Sequence, residues 1–260
     1  MSTTTFDTRR TPRLGGFNAT LLRLELRRLV RNRRTVIFTL VMPVVFFLLF
    51  GLDDAYATED AGNGNVAAFI MISMAVYGAM LATTSTGASV SIERSLGWSR
   101  QLRLTPLVPA AYVAVKLLMA LVVAAASILA VFAAGILTHK AQMPTYLWLE
   151  TGLIAWLGSL VFAAFGLFMG YVLPGENVMQ ILGPVLALLA FLGGLFVPLD
   201  PGSVMEAIAK LTPMYGLNQL VHAPLTGDHV QATWVLNVLF WLAVFAVGAM
   251  SRFRADTARV

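Results

Sequence analysis

The 260 residues contain no cysteine. Disulfides, thiolate metal sites and cysteine nucleophiles are therefore excluded. Charge is scarce as well. Asp, Glu, Lys and Arg make up 12% of the chain, about half their share in soluble domains. With 58% of residues hydrophobic, a soluble helical bundle would need a polar face on every helix, and most segments lack one. The three histidines, His139, His222 and His229, all fall in segments read as outer loops. Enzyme signatures are missing too. Gly158-Ser159 is not the Gly-x-Ser-Gly of a rhomboid-like protease, and there is no HExxH, paired-Asp or CDP-alcohol transferase pattern. A Walker A run (Gly-x4-Gly-Lys-Ser/Thr) is also absent, so the chain cannot power transport itself. No carboxylate or histidine sits at the centre of an apolar run, as ion-coupled transport would want. Lys116 and Glu150 lie near run ends, where they can snorkel or pair. An internal repeat, the mark of duplicated secondary transporters, is not visible. Neither is a cleavable signal peptide, because no short apolar region precedes the basic first 34 residues.

What the chain does have is long apolar runs. Six are expected to cross the membrane: 35–52, 66–92, 107–137, 146–173, 181–199 and 232–250. At 1.5 Å per helical residue, such lengths suit a hydrocarbon core of about 30 Å. Lys and Arg divide unevenly among the connecting segments. Sixteen fall on one side and only Lys140 and Lys210 on the other, which predicts cytoplasmic termini. The net charge of +5 needs no nucleic acid, because the arginines crowd against spans.

Residues 1–17 read as a solvated, disordered tail. Segment 18–34 reads as an amphipathic helix in the membrane interface. Asn18 is a good N-cap, and Phe17 and Leu22 occupy staple positions. Leu22, Leu26, Leu29 and Val30 share one face, whereas Arg23, Arg27, Arg31 and Arg34 share another. Residues 35–250 would form the transmembrane domain and 251–260 a basic tail. The acidic loop with Asp53, Asp54, Glu59 and Asp60 is expected outside. Segment 200–228 is too long for a structureless loop. Ser203 and Glu206 have capping-box spacing for a short helix to about Leu211, and a second helix is expected from Tyr215.

The stretch 91–116 organises the rest. It joins two apolar runs and carries Glu93, Arg94, Arg100 and Arg103, so it forms a polar elbow at one membrane face. Trp98 and Leu102 lie one helical turn apart, and Pro106 and Pro109 start the next span.

Glu93-Arg94, Gly97, Leu102, Thr105-Pro106, Pro109, Tyr112 and Lys116 together resemble the hallmark of the ABC-2 family, the permeases of ATP-binding-cassette exporters. Gly193-Gly194, Phe196, Pro198, Leu211-Thr212-Pro213 and Tyr215 supply a second match. The second acid of the usual Glu-Arg/Lys-Glu-Gly-Thr start is missing here. The resemblance, closest to the daunorubicin/multidrug-resistance-like branch, spans roughly 18–254. It implies an all-α integral membrane protein of the type V exporter fold, with six transmembrane helices, an N-terminal elbow helix and a re-entrant outer segment before the last helix. It further implies a multi-pass protein of the bacterial cytoplasmic membrane. Two ATPase subunits would bind ATP and Mg, and a second permease chain, identical or paralogous, would complete the complex. The chain itself would hold no cofactor. ATPase coupling would fall to Glu93, Arg94, Leu96, Gly97, Trp98, Arg100 and Leu102. The elbow helix, with Arg23, Arg27 and Arg31, would also touch the ATPase. A pathway at the permease interface would use Phe46, Phe47, Met71, Met74, Tyr77, Met179, Leu186 and Phe191. The cargo expected there is a lipophilic drug, antibiotic or lipid-like molecule. A polysaccharide or lipid-linked exporter is the alternative, and an intramembrane enzyme a remote one.

Overall fold

The computed structural model describes residue 27 and residues 37–97, 109–175 and 177–258. Among them, regular structure is helical except for one bridge between Asp60 and Asn65. A π-helical turn, Ile37–Val41, runs into α1, Met42–Phe50. Pro43 explains the turn. It has no N–H to give the carbonyl of Thr39, four residues earlier. Ser127 supplies the missing donor, its Oγ lying 2.7 Å from Thr39 O. Gly78 makes room there, because a Cβ on it would meet Ser127 Oγ at 2.2 Å.

The short α2, Asp54–Thr58, is capped by Asp53 and leads to α3, Val66–Ser95. Then follow α4, Pro109–Thr138, with proline at its first position as expected, and α5, Thr145–Gly158. After these come α6, Leu160–Val172, α7, Val178–Leu192, and α8, Val204–Ala209. The chain ends on α9, Pro213–Thr226, and α10, Ala232–Ala258. Among the described residues, four helical stretches are long and apolar enough to cross a membrane: Val66–Ser95, Val113–Thr138, Thr145–Val172 and Ala232–Arg254. Ile37–Phe50 and Val178–Leu192 are shorter apolar helices. The expected fifth span therefore stops at Leu192 instead of reaching 199. Gly193 follows, and Gly194 takes φ 79°, a left-handed conformation that ends a helix. The last helix instead runs on to Ala258, through most of the segment expected as a separate tail. The expected elbow helix 18–34 lies outside the described residues apart from Arg27, which is helical and exposed.

Helix α3 is the centre of the bundle, packed most extensively on α4 and α6. It is apolar or small on nearly every side, as a fully surrounded helix must be. Against α6 the backbones almost touch. A Cβ on Gly166 would stand 2.3 Å from Thr84 O, and one on Gly87 would stand 2.7 Å from Ala163 O. Small residues allow this approach where lipid gives helices little hydrophobic reason to associate. The α3 hydroxyls bond in two ways. Thr83 and Thr86 donate to their own helix, whereas Thr84 Oγ1 donates to Phe162 O at 3.3 Å. The junction of α5 and α6 falls at Gly158-Ser159, a pair that commonly bends helices.

At the end of the bundle carrying α2, Asn65 stitches the connections together. Its Oδ1 accepts from Ala68 N and Gln142 N, and its Nδ2 donates to Ala57 O and Lys140 O. Lys140 also pairs with Asp54, and this cation holds the exposed carboxyl below its usual range. The capping box before α8 is half as expected. Ser203 Oγ accepts from Glu206 N at 3.1 Å, but the Glu206 carboxylate takes Gly202 N rather than Ser203 N.

Candidate functional site

Glu93 and Arg94 stand in the last turn of α3. Consecutive helical residues point about 100° apart, so the two reach different neighbours. Glu93 is 3% exposed, and its Oε1 lies 2.5 Å from Lys116 Nζ on α4, also 3% exposed. Arg94 turns to the end of α6. Its Nη1 donates to Tyr171 O at 3.1 Å and Gly170 O at 3.4 Å, carbonyls of a last turn that has no further helical donors. Cations are favoured there by the helix dipole. The guanidinium also lies 5.4 Å from the centroid of the Tyr171 ring. That ring meets Phe253 of α10 edge-on at 5.9 Å. Ser91 adds a bond of 2.7 Å to Leu173 O, just past α6.

The carboxylate of Glu93 is thus turned into the bundle to meet Lys116. Leu96 is the residue that faces outward, 69% exposed, and Gly97 follows with φ 72°. Trp98, Arg100 and Leu102, like Arg23 and Arg31, lie outside the described residues.

The eight expected pathway residues separate into three groups. Phe47, Met71, Met74 and Leu186 are buried in the main core of this chain, where they fill space among helices. Met179 and Phe191 are exposed on α7. Phe46 and Tyr77 do come together, with ring centroids 6.3 Å apart and nearly parallel. Phe50 stands 6.0 Å from Phe46, and Phe196 meets Tyr77 edge-on at 5.1 Å. Sequence reading missed Phe50 and Phe196 as partners. The four-residue spacing of Phe46 and Phe50 could have flagged the first, whereas nothing local pairs Phe196 with Tyr77. An apolar groove of about 1110 Å³ lies elsewhere, between the ends of α4 and α5, lined by Leu129, Phe132, Ile136, Met143 and Trp148 among others.

The expectation for His222 is overturned. It is not in an outer loop but buried in α9. Its Nδ1 lies 2.9 Å from Asn218 O, and its Nε2 lies 3.1 Å from Ser73 Oγ and 3.3 Å from Phe69 O on α3. The ring stacks on Phe69 at 3.9 Å. Asn218, one turn earlier, donates through Nδ2 to Gly193 O and Gly194 O at the end of α7. Its Oδ1 is the one buried side-chain atom without a partner among the described residues. Among those residues, no three His, Asp or Glu side chains converge to hold a metal ion.

Together these features define a multi-pass helical membrane protein, with a charged hub buried at one end of the bundle and an interrupted helix pair at the other. A family model described as ABC-2 type transporter matches residues 18–225. The chain belongs to that family of transporter membrane proteins. It is also similar to the putative transport permease YvfS of Bacillus subtilis strain 168, with 28% identity over 193 residues, 74% of this chain and 78% of the relative. Family membership makes the chain a transport permease rather than an enzyme by itself, and implies a partner that hydrolyses ATP.

Proposed function

We propose that this chain is the permease subunit of an exporter in the cytoplasmic membrane, moving lipophilic molecules outward. Two permease chains, identical or paralogous, work with two ATP-binding subunits. Those subunits dock on the face that carries segment 96–108, and both termini lie on that side. Leu96, Trp98, Leu102 and Arg100 make the contacts with the ATPase there, and the segment bearing Arg23, Arg27 and Arg31 touches it as well. Permeant molecules pass near the aromatic cluster of Phe46, Phe50, Tyr77 and Phe196, and the exposed Met179 and Phe191 of α7 also meet them. Aromatic and methionine side chains suit varied apolar cargo.

The observation that carries the docking surface is Leu96. A leucine held outward at the end of a helix whose neighbouring charges turn inward has the form of an anchor for a partner groove. Trp98→Ala tests it. Loss of a docked aromatic should cost about 2 kcal/mol or more of interface energy. The ATPase should then fall away from the membrane while this chain still inserts. Normal co-purification and normal export by a Leu96→Ala, Trp98→Ala double variant would refute docking. Stimulation of ATP turnover across a panel of lipophilic and sugar-linked compounds tests the cargo. A response confined to sugar-linked compounds would overturn the lipophilic reading.

A further inference from the structure

We infer that Glu93, Lys116 and Arg94 act as an internal clamp that makes the ends of α3, α4, α6 and α10 move as one block when the ATPase acts. This rests on the permease reading above. The clamp sits at the last turn of α3, one residue before the segment that would receive the ATPase.

Two properties of the hub carry the inference. First, it is directional where the surrounding packing is not. The neighbourhood of these helix ends is packed by Val90, Leu117, Leu167, Phe168 and Ala249, apolar side chains whose dispersion contacts have no fixed direction. A buried ion pair resists slipping, because separating its charges gives up their attraction in a low-dielectric site. Such a pair is weak evidence for stability, since well-packed apolar residues often serve that end as well. Fixing register is its best-attested use, and an ionisable residue within a span is a functional candidate by default. Second, the hub branches. Glu93 reaches α4 through Lys116, Arg94 grips the last carbonyls of α6, and Tyr171 passes the contact on to Phe253 of α10. Ser91 seals the same end of α6. A push on segment 96–108 is thus delivered to four helices, not to α3 alone. Glu93, Arg94 and Lys116 are positioning residues, and the ATPase touches none of their buried bonds.

The test uses the full chain assembled with its ATPase in lipid nanodiscs. Cysteines placed at Leu137 and Val204, both highly exposed and in a chain without cysteine, carry spin labels. The distance between them is measured without nucleotide and with vanadate-trapped ATP. With the hub intact, the distance distribution shifts on trapping. Glu93→Gln with Lys116→Met removes both charges of the pair at similar side-chain length, and thermal unfolding in detergent checks that the variant folds. In that variant the ATPase stays bound and the shift is lost. The exchanged pair, Glu93→Lys with Lys116→Glu, restores it. A full shift in the neutral variant would overturn the clamp, and so would release of the ATPase by that variant, because Glu93 would then be a docking residue. Absence of any shift with the hub intact would instead count against ATP-driven movement, the reading on which the clamp rests.

Discussion

Gly166→Ala is the sharpest test of how α3 and α6 are held together. The added methyl would stand 2.3 Å from Thr84 O and 2.8 Å from Thr84 Cα. Both atoms are backbone, so no side-chain rotation relieves the clash. Ordinary contact begins near 3.4 Å, and the helices must part by about 1 Å at this point. Such a gap forfeits about a quarter to a half of each neighbouring dispersion contact. The bond from Thr84 Oγ1 to Phe162 O, already 3.3 Å, lengthens beyond hydrogen-bond range. Overpacking of this kind costs about 1–3 kcal/mol. For a domain of this size that corresponds to a fall in Tm of about 2–12 °C. Gly152→Ala is the matched control. Its methyl would meet only the edge of the Phe132 ring, at 3.2 Å, and a ring can yield by a few tenths of an ångström. Alanine also gains about 1 kcal/mol over glycine in helix propensity. Thermal unfolding of both variants in one detergent gives the comparison. If Gly166→Ala unfolds no earlier than Gly152→Ala, the close approach of α3 and α6 is not what the geometry describes.

Two further outcomes are expected. His222→Leu removes the side-chain link from α9 to Ser73 and Phe69, so amide hydrogen exchange should rise across 213–226 while α4 and α6 stay protected; uniform protection would make the link dispensable. Single cysteines at Thr58 and Ser203 should label from outside intact cells and one at Thr257 only after permeabilisation, whereas the reverse pattern would invert the proposed orientation.

Most of the architecture was legible because hydropathy reports on each helix separately. The cores of the apolar runs reappear as helices, and the start of α4 follows from Pro109 alone. The end of α7 was misplaced because an apolar composition continues past Gly193-Gly194, while the backbone turns left-handed there. His222 was misread for the opposite reason. A helix is expected from Tyr215, but the polar Asn218, Gln219 and His222 make its later part look like a surface loop, whereas the helix runs to Thr226. It buries those polar groups by bonding them to α3 and to the end of α7, which only the folded neighbours can show. Glu93 and Arg94 carried a family motif, yet the motif does not say which way the side chains turn. Lys116 lies 23 residues from Glu93, too far for any helix spacing rule to pair them.

The link from α9 has a consequence for how these helices can separate. Asn218 holds the carbonyls at the end of α7, and His222 fastens the same helix to α3, so one helix joins two others through polar bonds. Parting α9 from α7 would strand Gly193 O and Gly194 O, and parting it from α3 would strand the imidazole. A buried polar group that loses its partner costs about 1–3 kcal/mol until water reaches it. Local opening of α9 is therefore expected to be steep, with few partly opened forms between closed and fully hydrated.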